Sequence, residues 1–89
     1  MLFRSNVDVI IQDVATRGQA TVANRNAAFL ADDGRLVLAI KARSEDVTAD
    51  PETVYADVLA ELETTYEVCE TAPLDRFHAD HLGVVATPR

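Results

Sequence analysis

The sequence predicts a single α+β domain over residues 1–89. Its parts are a small antiparallel β-meander of about three strands, an N-terminal helix, a longer acidic helix and a short C-terminal helix. Three observations carry this expectation. The run from Leu36 to Ile40 is apolar on both faces, rich in branched residues and shorter than a typical globular helix, the pattern of a covered strand. Asp50-Pro51-Glu52 is a helix start, and the apolar residues after it step by four and three. With 89 residues and 48% hydrophobic content, the chain can bury one modest core.

Taken in order, Ser5 and Asp8 form a capping-box pair at the head of a helix over about residues 6–17. Val7, Ile10, Ile11 and Val14 then fall on one stripe, and Gly18 suits the position just past its end. The segment QATVANRNAAFLA reads two ways. As strands, residues 19–23 and 27–31 flank the polar cluster Asn24-Arg25-Asn26; as a helix, Ala20, Ala23, Ala27 and Leu30 align. The strand reading is preferred because Asp33-Gly34 is a tight-turn signal leading into a third strand over residues 36–43. The acidic helix runs over about residues 51–69 on Tyr55, Leu59, Leu62, Tyr66 and Cys69. It can instead stop near Thr64 and leave YEVCE as a strand. After Pro73, the spacing of Leu74, Phe77, His78, His81 and Leu82 predicts the short last helix, closed by Gly83, with Val84, Val85 and Ala86 as an edge strand.

Charge is the strongest global signal. Fifteen acidic residues face eight basic ones, a net charge of −7, and Lys41 is the only lysine. Such a composition resembles that of proteins from salt-loving archaea, or equally that of an acidic protein from a GC-rich genome. Negative charge argues against contact with a phosphate backbone and suits a basic protein partner or plain solubility. No apolar run approaches the ~20 residues of a membrane span. The N-terminus lacks a signal peptide's apolar core, so the expected location is cytoplasmic.

Cys69, His78, Asp80 and His81 are the one metal-type cluster, with the two histidines at i and i+3 of the last predicted helix. Their spacing matches no zinc framework, and histidines that cover a core explain them as well. A Cys69–His nucleophilic pair fails for a similar reason. Cys69 continues an apolar stripe, where a thiol acts as a small hydrophobe. No catalytic, cofactor-binding or metal-binding residue is therefore assigned.

The stretch VIIQDVATRGQATVANRNAAFLA resembles the N-terminal module of Phd/YefM-type antitoxins, in which a helix ending near a glycine leads into a strand, a basic turn and a second strand. That resemblance implies a homodimer that binds operator DNA and neutralises a toxin. The chain lacks the strand and the Ala-Arg segment that usually precede the antitoxin helix.

The expected function is that of a small acidic, non-enzymatic interaction or regulatory protein. A homodimer is expected because a sheet covered on both faces needs more cover than short helices supply. The alternatives are an antitoxin-like DNA-binding regulator and a small metal-binding protein using Cys69, His78 and His81.

Overall fold

The computed structural model describes residues 7–13, 17–74 and 80–89. The elements are β1 (Val7–Gln12), α1 (Gln19–Asn26) with a 3-10 turn at Ala27–Phe29, β2 (Leu30–Lys41), α2 (Ala42–Glu45), α3 (Pro51–Leu62), β3 (Tyr66–Pro73) and β4 (His81–Pro88). They form a mixed four-stranded sheet in the order β1-β2-β4-β3. β1 and β2 are parallel, joined through α1 as a βαβ unit, and β4 is antiparallel to both of its neighbours.

β2 is the expected central strand. Leu36, Leu38 and Ile40 are fully buried, each paired across to β4. Val54, Val58 and Leu62 of α3 and Ala20 and Ala23 of α1 join them in one core. Covering is one-sided among the described residues: Val9, Ile11 and Val37 on the other face are 52%, 76% and 39% exposed. Among the described residues, the LVLAI run is thus covered on one face only.

Several expected elements are corrected. The N-terminal helix over residues 6–17 is instead β1 in the part that is described. Val and Ile dominate that part, and their stiff χ1 favours a pleated surface over a helix. Ser5, its expected cap, lies outside the described residues. The hairpin over residues 19–31 is α1, so the alanine-rich alternative holds, and with it the antiparallel meander gives way to a parallel crossover. Gly18 does not close a helix but precedes one, at φ 76°, a conformation that glycine adopts without steric cost.

Asp33-Gly34 is not a turn between strands. It lies inside β2, where the β1 pairing jumps from Val7↔Leu30 to Val9↔Arg35. A Cβ at Gly34 would stand 2.5 Å from Leu30 Cδ1 and 2.9 Å from the Asp8 carbonyl oxygen. The irregular register therefore depends on close backbone approach.

α3 begins as expected, with the Asp50 carbonyl accepting from Thr53 N–H and Val54 N–H at 3.0 and 3.1 Å. It ends at Leu62 rather than 69. Thr64 Oγ1 donates to the Glu61 carbonyl at 2.8 Å, a back-bond that competes with helix propagation, and Tyr66 opens β3. The expected last helix falls partly on residues 75–79, outside the described set. Its described end is not helical: Asp80 has φ 60° and His81 begins β4. The edge strand expected at Val84, Val85 and Ala86 is an interior strand, between β2 and β3.

Candidate active site

In a sheet with parallel strands, ligand chemistry collects beyond the carboxyl ends of those strands. Here β1 ends at Gln12 and is followed by Asp13, while β2 ends at Lys41. The Lys41 ammonium forms an ion pair with the Asp13 carboxylate. Lys41 pairs across the sheet with His81, the first residue of β4. Asp13, Lys41 and His81, with Ala39 and Leu74, line one cavity of about 350 Å³.

Each member is held by a different element. The Lys41 side chain is 21% exposed, shielded on its stem yet open at its tip; that of Asp13 is 64% exposed. His81 is half-buried, and its carbonyl accepts from Leu74 N–H at 3.0 Å, which draws the end of β3 over the cavity. Behind Lys41 lies a buried amide network. Gln19 and Gln12 are 0% and 4% exposed, and Gln12 Nε2 donates to the Gln19 carbonyl at 2.9 Å. An ammonium, a carboxylate and an imidazole in one cavity can orient a hydroxyl, stabilise its oxyanion and accept its proton.

A wider groove of about 580 Å³ runs between the start of α3 and the β3–β4 pair, lined by Asp50, Glu52 and Asp80. Among the described residues that line it, the charged groups are carboxylates, with Asp80 ion-paired to Arg43, so the groove is a poor place for an anion.

The expected cluster is dispersed. His78 lies outside the described residues. Cys69 is exposed on β3 rather than buried in an apolar stripe, with Sγ 3.9 Å from Thr87 Oγ1. The β3–β4 pairing places Cys69 beside the Val85–Ala86 step, some four residues from His81, or ~13 Å at ~3.3 Å per residue. Asp80 accepts from Arg43 Nε at 2.9 Å. No group of three or more His, Cys, Asp and Glu among the described residues is arranged to hold a metal. Sequence reasoning does not single out Asp13 or Lys41. Their signal is positional: the only lysine follows the strand run LVLAI, and an Asp follows VDVIIQ.

Known proteins resemble this chain closely. A fibrillarin-like rRNA/tRNA 2′-O-methyltransferase of the haloarchaeon Halorubrum lacusprofundi is 73% identical over 85 residues, 96% of this chain and 40% of the relative. The chain thus spans well under half the length of the curated relatives it matches. Among solved structures, a fibrillarin/Nop5p complex superposes with TM-score 0.90 at 37% identity, covering 96% of this chain and 41% of that one. Fibrillarin of Aeropyrum pernix, in complex with natively bound S-adenosyl-L-methionine, superposes with TM-score 0.77 at 40% identity, covering 93% and 37%.

These likenesses overturn the functional expectations. A non-enzymatic regulator, an antitoxin-like DNA binder and a small metal-binding protein all give way, because the relatives are named as methyltransferases. The argument against nucleic acid, and with it the homodimer and the basic protein partner, also falls. The relatives are named for rRNA and tRNA, and one solved neighbour is a complex with Nop5p. Net charge misleads because it averages over the whole surface, while a site is set by a few local groups. Among the described residues, no helix is long and apolar enough to cross a membrane. The Fibrillarin family matches residues 1–89, and the chain belongs to that family.

Proposed function

We propose that this chain carries the acceptor side of a ribose 2′-O-methyl transfer to rRNA or tRNA, with Lys41, Asp13 and His81 receiving the 2′-hydroxyl. One observation carries this reading. The Lys41–Asp13 ion pair and His81 open into one cavity at the carboxyl ends of two parallel strands, in a family whose members are named for this reaction.

A ribose hydroxyl is a weak acid, and its oxygen becomes a good nucleophile only as the proton leaves. An ammonium placed beside it stabilises the developing oxyanion. Asp13 fixes the direction of the Lys41 Nζ, and a carboxylate and an imidazole are both present to take the proton. The ribose oxygen gives its proton to the site and takes the methyl group, whose bond to its donor breaks as the O–C bond forms.

The chain covers 37% of the Aeropyrum relative that binds S-adenosyl-L-methionine, and its described residues are assigned by what lines this cavity. Around this cavity they supply neither a glycine-rich turn nor an aromatic surface for an adenosine. Asp13, Lys41 and His81 are therefore assigned to the acceptor hydroxyl. The cytoplasm, where archaeal RNA is modified, is the expected place of action.

The test is Lys41→Ala in the full-length protein, with methyl transfer to RNA and RNA binding measured separately. Turnover should fall by about 100-fold or more, the scale of losing a positioned acid–base or oxyanion-stabilising group, while binding changes little. Undiminished turnover would reject the reading.

A further inference from the structure

Lys41 stands where the sheet runs out on one side. The last β1–β2 pair is Gln12↔Leu38, yet β2 continues to Lys41. On its β4 side the strand is still partnered, and the next amide, Ala42 N–H, donates to the Asp80 carbonyl at 3.0 Å. The N–H and C=O of Lys41 itself face the other way, toward the place where a longer β1 would lie.

The Gln19 side chain fills that place. Its Oε1 accepts from Lys41 N–H at 2.9 Å, and its Nε2 donates to the Lys41 carbonyl at 3.0 Å. A primary carboxamide offers the same donor and acceptor as a peptide group, so one side chain substitutes for a missing strand residue. Gln19 is fully buried, where a carboxamide is costly unless its bonds are made.

Gln19 is itself fixed from two directions. Glu45 accepts from Gln19 N–H at 2.8 Å and from Gly18 N–H at 3.1 Å, capping the start of α1. The Gln19 carbonyl accepts from Gln12 Nε2, and Gln12 Oε1 accepts from Asn26 Nδ2 at 3.3 Å. Gln12 immediately precedes Asp13. One chain of amides therefore ties the strand end that carries the carboxylate to the strand end that carries the ammonium.

We propose that Gln19 is a positioning residue for Lys41: by replacing the missing strand, it holds the backbone from which the ammonium reaches Asp13 and the cavity. The catalytic part of this claim rests on the function proposed above; the positioning part does not. A side chain needed only for packing would be served by a hydrophobe of the same length.

The test uses Gln19→Met in the full-length protein, which keeps length and removes both bonds to Lys41. Acetylation by acetic anhydride, followed across pH by mass spectrometry of the peptide carrying Lys41, reads the state of the ammonium directly. Methyl transfer gives kcat and KM. The comparator is Tyr66→Phe, which loses a buried hydrogen bond that involves neither Gln19 nor Lys41. Gln19→Met should raise Lys41 acetylation severalfold at a given pH and lower kcat about tenfold, with the KM for RNA within twofold of wild type. Glu45→Ala, which releases only the backbone of Gly18 and Gln19, should move both in the same direction by less, and it decides the matter if Gln19→Met does not fold. If these variants match Tyr66→Phe in labelling and in kcat, the positioning role is overturned. If instead Lys41→Ala leaves turnover intact while Gln19→Met still changes the labelling, the functional reading fails and the positioning of Lys41 stands.

Discussion

The parallel and antiparallel halves of the sheet divide the work of this chain. In the parallel half, β1 is largely exposed, its pairing with β2 is irregular, and its end carries Gln12 and Asp13. In the antiparallel half, β4 alternates buried and half-buried residues without a break, and Leu82, Val84 and Ala86 sit in the core. Both halves carry a register shift, at Val7/Val9 in β1 and at Val68/Glu70 in β3, but the antiparallel half supplies the core strand β4 while the parallel half supplies polar groups at its edge. Each polar group at that edge needs a partner to be held in place. The Gln12–Gln19–Lys41 network provides such partners, and a longer β1 would have paired with Lys41 directly. Shortness of a strand is here what leaves room for a side chain to set a neighbouring residue.

The strand shared by both halves offers the largest effect. Leu38 is fully buried and pairs with Gln12 on one side and Val84 on the other. Leu38→Ala should cost about 2–5 kcal/mol in denaturant unfolding, the usual cost of truncating a buried leucine. A loss below roughly 1 kcal/mol would mean that the halves do not share a core through β2.

A smaller effect, confined to the parallel half, is expected at Gly34. A Cβ there meets Leu30 and the Asp8 carbonyl, and backbone cannot yield as a flexible side chain can. Gly34→Ala should destabilise by about 1–3 kcal/mol, as overpacking generally does. Amide exchange should quicken first in β1, with β3 and β4 protected as before. Uniform loss of protection across all four strands would show that the irregular pairing is no separable unit.

The same division explains what is legible in the sequence. β2 and the start of α3 can be read because local signals and tertiary context agree there. Leu36, Leu38 and Ile40 are branched and buried, and Asp50-Pro51 begins a helix in almost any setting. β1 cannot be read because Val7, Ile10 and Ile11 satisfy a helical stripe as well as a strand. The choice is made by pairing with β2, which lies beyond any local window. α1 is mistaken for a hairpin because Asp33-Gly34 looks like a turn between strands, while Gly18 looks like the close of a preceding helix. Gly18 instead starts a helix, and Gly34 permits a close approach inside a strand. Without the parallel crossover the site stays hidden. Asp13 and Lys41 are 28 positions apart and unremarkable alone, and only the β1–α1–β2 unit brings them together. His81 stands out in the sequence, but with helical neighbours rather than with its strand partner Lys41.

The smallest effect tests the link between the halves. Tyr66, at the head of β3, is fully buried and its hydroxyl donates to the Ala23 carbonyl of α1 at 2.6 Å. Tyr66→Phe keeps the ring and removes the bond, leaving that carbonyl short of a partner. The expected cost at neutral pH is about 0.5–1.5 kcal/mol, the net worth of one such hydrogen bond. Burial pushes the Tyr66 phenol above its ordinary value of 10.0, because the phenolate is poorly solvated there. A group whose pKa is raised on folding favours the native state fully below its unfolded value, and that contribution is lost as pH rises through the folded value. Wild-type stability should therefore fall above about pH 10, as the unfolded chain begins to release a proton that the folded chain keeps. Tyr66→Phe should lack that part of the alkaline decline, so the gap between the two proteins narrows with rising pH. Urea unfolding of both at pH 7, 9 and 10.5 measures it. A gap that stays constant would mean that the hydroxyl is not held at the α1–β3 junction, and that the two halves are joined there without it, through the β2–β4 ladder and their apolar contacts.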